Sequence, residues 1–275
     1  MARNDSNNLD ALLFVDTNIL LDFYRIRQSD ISLKYLEQLE SCRTRLIIGS
    51  QVEMEYKKNR QKVIIESLNQ YSKPDWKKLS TPALVSGIQA SKMIEKKKKE
   101  IETQQKKVNE KIQKILKNPI QNDPVYITLQ RIFKTKSSYN LNREDEKRFE
   151  IRELAKKRFI LGYPPRKKND TSIGDAVNWE WIVQCALDSG KDIVIVTRDE
   201  DYGVIYKDKS FLNDWLSQEF KERVSRKRKI FLTSKLSQGL KAIKVAVSKE
   251  MEQAEEEFIE ERHQINDDTS ELSFM

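Results

Sequence analysis

Five carboxylates, Asp16, Glu55, Asp175, Asp199 and Asp201, are the side chains of this sequence whose type and placement allow joint chemistry. Asp16 interrupts the stretch LLFVDTNILLDFYR directly after an apolar run at residues 12–15, and Asp199 comes shortly after a second run at 193–196. Short continuous apolar runs mark strands buried on both faces of a parallel sheet. A carboxylate at the end of such a strand is costly to desolvate unless something pairs with it. In open α/β sheets, ligands bind at the carboxyl ends of the strands. Two further acids arrive on helices. At about 100° per residue, Glu55 borders the apolar stripe of Val52, Tyr56 and Val63, whereas Glu53 falls on the far side with Arg60. Asp175 shares a helix face with Trp179 and Ile182, which directs it toward the core edge. Acids gathered at one sheet edge repel unless a divalent cation sits between them. An all-oxygen donor set suits Mg²⁺ or Mn²⁺.

Each acid also has an ordinary structural use. Asp16 can cap a helix, Asp199 and Asp201 can be turn residues, Ser172 with Asp175 fits a capping box, and Glu55 can be an exposed helix glutamate. The rest of the composition narrows the chemistry toward carboxylates. The single histidine, His263, lies in an acidic tail, which argues against zinc or triad chemistry built on histidine. Cys42 and Cys185 are far apart among apolar residues and read as reduced core thiols. With seven glycines and no G-x-x-x-x-G-K, a phosphate-cradling loop is excluded. The D-T-N after the first strand is not the paired D-x-D of aspartyl-phosphate chemistry.

The elements that must position these acids alternate as strand and helix, which predicts parallel βαβ units. Strands are expected at residues 12–15, 45–50, 193–196 and 229–233. Helices are expected after the first two, over about 173–187, around Phe211, Leu212, Trp215, Leu216 and Phe220, and as one final helix from Leu236 to Phe258. The chain divides into residues 8–70, a helical segment at 71–161, residues 162–262, and a tail at 263–275 expected to be disordered. In the helical segment Ile94, Ile101, Val108 and Ile115 recur every seven residues, half a coiled-coil stripe suited to packing one face on a neighbour. Its lysines, among them 96–99, read first as a solvated face and second as a basic flank for a polyanion. The net charge of +8 suits a polyanionic partner, although a highly charged surface gives the same count. Arg60, Arg166, Lys167 and Lys168 flank the acid motifs and are candidates to hold a nucleic-acid backbone. Tyr202 is a candidate to stack on bases; Trp179 is expected in the core. No run approaches the roughly 20 apolar residues of a membrane span, and MARNDSNN lacks the apolar core of a signal peptide, so a cytoplasmic protein without a membrane partner is expected.

FVDTNILLDFYR, QVEMEYKKNR, GYPPRKKNDTSIGDAVNWEWI and IVIVTRDEDYG resemble the successive motifs of PIN-like nucleases, of a bacterial PIN-like group formerly of unknown function. The resemblance covers roughly residues 12–60 and 162–233. It implies a PIN-like α/β fold, with a parallel sheet of four to five strands flanked by helices and with 71–161 as a long helical insertion. It also implies a metal-dependent nuclease, usually acting on RNA, with Asp16, Glu55, Asp175 and Asp199 as catalytic acids holding Mg²⁺ or Mn²⁺. Asp201 is expected to join them as a metal ligand. Thr17 and Asn18 would support the first acid and Thr197 the last, and Asn18 and Thr197 are also placed among the substrate-binding residues with Arg60, Arg166, Lys167 and Lys168. The resemblance adds a toxin or anti-phage defence role. The partners expected are nucleic acid, RNA before DNA, a regulatory protein or inhibitor, and a second copy of the chain. The rival reading is a catalytically inactive PIN-like module that binds nucleic acid or protein.

Overall fold

The computed structural model describes residues 10–26, 28–69, 81–166, 171–207 and 209–272, with side chains as far as Arg262. The first apolar run forms β1 (Ala11–Val15), every residue of which is buried. Asp16 turns the chain into α1 (Thr17–Asp22). After α2 (Ser29–Ser41) come β2 (Leu46–Gly49) and α3 (Ser50–Asn69). The middle of the chain forms α4 (Gln89–Lys117), α5 (Pro119–Asn122), α6 (Pro124–Phe133), the two-residue strand β3 (Asn140–Leu141) and α7 (Lys147–Ile160). The remainder is α8 (Gly174–Ser189), β4 (Asp192–Val196), the hairpin β5 (Gly203–Tyr206) and β6 (Lys209–Leu212), α9 (Asp214–Arg223), β7 (Ile230–Thr233), α10 (Leu236–Ala242) and α11 (Lys249–Leu272).

Five strands form one parallel sheet in the order β3-β2-β1-β4-β7. The order reverses direction between β1 and β4, so the crevice beyond their carboxyl ends is the switch point at which α/β sheets bind ligands. Val15 of β1 is in register with Val196 of β4, which sets Asp16 and Thr197 side by side. The fold is therefore the PIN-like α/β arrangement expected, with helices on the sheet.

Several local expectations need correction. β3 arises in a stretch expected to be helical; two residues carry no periodicity, and Asn140 is held there by its Nδ2 donating to the carbonyls of Phe133 and Thr135. Phe211 and Leu212 belong to β6 rather than to a helix, because Gly203 and Phe211 approach so closely that a Cβ on Gly203 would overlap the Phe211 carbonyl. The single final helix is two, broken where Lys244 takes a left-handed φ of 62°. The second of them, α11, continues to Leu272, past the point where a disordered tail was expected. The stripe of α4 stays largely at the surface: Ile94, Ile101 and Val108 are 40%, 44% and 53% exposed, and only Ile115, near the end of the helix, is half-buried. Its lysines behave as a solvated face, with Lys97 donating to Glu100 at 2.8 Å. Among the described residues no helix is long and apolar enough to cross a membrane.

Candidate active site at the carboxyl edge of the sheet

Asp16 is buried at the end of β1, and its carboxylate is held by three donors. Oδ1 accepts from the Thr17 amide at 2.6 Å, the helix-capping use that the sequence allows. Oδ2 accepts from Asn18 Nδ2 at 3.0 Å and from Thr197 Oγ1 at 2.5 Å. Burial pushes the Asp16 carboxyl up to about 6, reinforced by the charges of Glu55 and Asp199 and opposed by the Thr197 and Thr17 hydrogen bonds. Burial outweighs the three donors, and the neighbouring negative charges add to it.

Glu55 reaches the same place from α3. Its Oε2 accepts from Thr17 Oγ1 at 3.0 Å and its Oε1 from Gln51 Nε2 at 2.6 Å. Glu53 instead pairs with Lys57 at 2.5 Å, one turn on. The first residue of α8, Gly174, lies against Glu55; a Cβ there would overlap both Glu55 Oε1 and Gln51 Nε2. Gly174 thus gives the Glu55 carboxylate its room, a role that no pattern in the sequence announces. Gly174→Ala is expected to swing Glu55 aside and to lower any catalytic rate that depends on the acids by about tenfold to a hundredfold. Stability should change by less than about 1 kcal/mol, since only flexible side-chain ends must move. Full activity with an unshifted melting temperature would refute this role for the glycine.

Asp175 is the second residue of α8, and Asp199 and Asp201 follow β4. A carboxylate oxygen from each of the three lies within 4.8 Å of the others. Tyr202, fully buried, donates its hydroxyl to the Asp175 carbonyl at 3.3 Å. Its phenol is pushed far upward by burial and then by the charges of Asp175, Asp16, Glu55 and Asp199. Tyr202 forms the floor of an acidic crevice and cannot stack on bases. Oxygens on opposite sides of a Mg²⁺ at about 2.1 Å stand about 4.2 Å apart, so small rotations let Asp175, Asp199 and Asp201 share a hard divalent cation. Asp16 and Glu55 complete the negative wall beside it.

A family model described as a PIN domain matches residues 13–202, more than half of the chain. The chain belongs to the PIN domain family. Members are generally nucleases that use divalent metals, which accords with the acidic cluster. No curated protein and no solved structure matches this PIN domain.

The remaining candidate residues divide by exposure. Arg60 is a correction: it is 3% exposed and donates to Asp123 Oδ2 at 2.6 Å and to the Ile115 carbonyl at 3.0 Å. Its guanidinium lies over the rings of Tyr24 and Tyr126 at 5.7 and 5.2 Å. It ties the end of α4 to the core and does not face a nucleic acid. Thr197 is also corrected from substrate binding to support, since it is buried, donates to Asp16 and accepts from the Asp199 amide at 2.9 Å. Asn18 does similar work, bridging Asp16 and Thr197 and accepting from the Arg198 amide. Arg166 is exposed, with its guanidinium 4.6 Å from the Phe159 ring centre. Lys167 and Lys168 lie outside the described residues. Trp179 is buried as expected, and Cys42 and Cys185 are buried free thiols.

Proposed function

We propose that this PIN domain is a Mg²⁺- or Mn²⁺-dependent nuclease that hydrolyses phosphodiester bonds, in RNA before DNA. The observation that carries this reading is the meeting of Asp175, Asp199 and Asp201 within 4.8 Å at the edge where Asp16 and Glu55 also end. A bound divalent ion would acidify a water and offset the charge that develops on the phosphate. The chain's own residues do the positioning. Thr17 spans Asp16 and Glu55, Thr197 and Asn18 hold Asp16, and Tyr202 holds the start of α8. A module that had lost catalysis would be free to lose these acids, yet all of them stand at the edge. The same reading takes residues 71–161 as an insertion, mostly helical, that also adds β3 to the edge of the sheet. It carries a cytoplasmic toxin or defence role, with a regulatory protein, an inhibitor or a second copy of the chain as partner.

Labelled RNA and DNA oligonucleotides incubated with Mg²⁺, Mn²⁺ or EDTA test the proposal. Cleavage is expected with either ion and none in EDTA; no cleavage under any condition rejects it. Mn²⁺ at about a hundred times its Kd should also stabilise the fold by about 2.7 kcal/mol, a rise of roughly 5–10 °C in melting temperature. The rise should vanish in an Asp199→Asn, Asp201→Asn double mutant. An equal rise in both proteins would put the ion elsewhere.

A further inference from the structure

Tyr163 and Trp215 form an exposed aromatic pair outside the acidic crevice, with ring centres 4.9 Å apart and planes inclined by 39°. They are 38% and 47% exposed, so both rings of the pair present area to solvent. Two cross-links join the helix that carries Trp215 to the elements that carry the acids. Trp179 Nε1, one turn beyond Asp175 on α8, donates to Glu219 Oε2, one turn beyond Trp215 on α9, at 3.3 Å. The Asn213 amide donates to the Tyr202 carbonyl at 2.9 Å, and the Tyr202 hydroxyl donates to the Asp175 carbonyl. One tyrosine residue therefore links Asp175 to the cap of α9, and α8 and α9 are joined one turn further on. Tyr163 is fixed over α9 from the other direction. Its amide donates to the Arg158 carbonyl, and Arg158 is in turn bound to Glu180 at 2.8 Å and to Glu219. The loop that holds Tyr163 continues to the exposed Arg166, whose guanidinium lies over the Phe159 ring.

We propose that Tyr163 and Trp215 form a base-stacking subsite that receives an unpaired nucleotide beside the phosphate held at the acids, so that this protein selects single-stranded nucleic acid. The inference rests on the nuclease reading for the phosphate but not for the stacking. Every base has a π face, and stacking on an exposed aromatic is worth about 1–3 kcal/mol per base. In a duplex the faces are already occupied, so the pair gives no gain there.

The test uses the full-length chain in EDTA, so that binding is read without cleavage, with a short oligouridylate and its blunt duplex with oligoadenylate as probes. The single strand should quench tryptophan fluorescence in the native protein and much less in Trp215→Phe, and the duplex should quench neither. Trp215→Ala should weaken single-strand binding about five- to a hundredfold and Tyr163→Ala should weaken it in the same direction, while Trp215→Phe keeps most of the affinity. Melting temperatures of all three variants should stay near that of the native protein, since both rings are substantially exposed. Unchanged single-strand affinity in folded Trp215→Ala and Tyr163→Ala overturns the subsite even if the native protein cleaves RNA, and leaves the pair as a contact for another protein. Quenching by the single strand in a protein that hydrolyses nothing would keep the subsite and reject the nuclease.

Discussion

Asp16→Asn is expected to fold, to melt above the native protein at pH 7 in EDTA, and to lose about a thousandfold or more of its nuclease rate. The loss follows from removing one charge from the wall that faces the ion and the reacting phosphate. The gain in stability follows from the position of Asp16. Its carboxyl is pushed from 3.8 up to about 6, chiefly by burial. A raised acid in the native state binds its proton more tightly than the unfolded chain does, so its stabilising contribution is complete below about pH 3.8 and is lost as pH rises through about 6. At pH 7 the ionised group opposes folding by at most on the order of 3 kcal/mol. Asparagine keeps an acceptor for the Thr17 amide, but its Nδ2 stands where Oδ2 accepted from Asn18 and Thr197, so the net gain expected is cut to about 1 kcal/mol. The gain should shrink between pH 7 and pH 4, as the native carboxyl takes up its proton, and thermal denaturation at a series of pH values measures it. Undiminished cleavage by a folded Asp16→Asn protein would sink the catalytic assignment. A stability difference independent of pH would sink the electrostatic one.

Asp123→Ala should destabilise the protein by about 3–5 kcal/mol, more than any surface change, because it strands the guanidinium of Arg60 in the interior. Both side chains of this pair are almost wholly inaccessible, 4% and 2% exposed. Asp123 Oδ2 also accepts from the Tyr24 hydroxyl at 2.7 Å, and Oδ1 caps α6 by accepting from the Tyr126 amide at 3.0 Å. Tyr24 and Tyr56 share a 2.6 Å hydroxyl contact in the same cluster. Removing the cap adds about 1 kcal/mol to the cost. The double replacement Arg60→Met, Asp123→Asn removes both charges and keeps a capping acceptor, so it should be more stable than Asp123→Ala alone despite altering two buried residues. Urea denaturation of the three proteins decides the matter. If Asp123→Ala costs under about 1 kcal/mol, Arg60 is reaching water and its structural role is wrong.

The sequence by itself determined the strands that carry the site. The runs within β1, β2 and β4 are short and apolar because strands of a parallel sheet covered on both faces leave no position for a polar side chain, and that constraint acts on each segment alone. It also placed Asp16 and Asp199 at one edge, since parallel strands share a direction, and helical phase put Glu55 rather than Glu53 beside the crevice. What remained for the tertiary structure depends on partners distant in the chain. Arg60 has the composition of a phosphate ligand and is instead neutralised by Asp123, sixty-three residues away. Thr197 stands next to the fourth acid yet donates to the first, because strand register brings β1 alongside β4. β3 is too short for any period to mark it, and Gly174 becomes necessary only once α3 sets Glu55 against the start of α8. Burial on both faces is written into each strand's own residues, whereas the partner of a charge and the space beside a glycine are set by segments that meet only when the sheet is assembled.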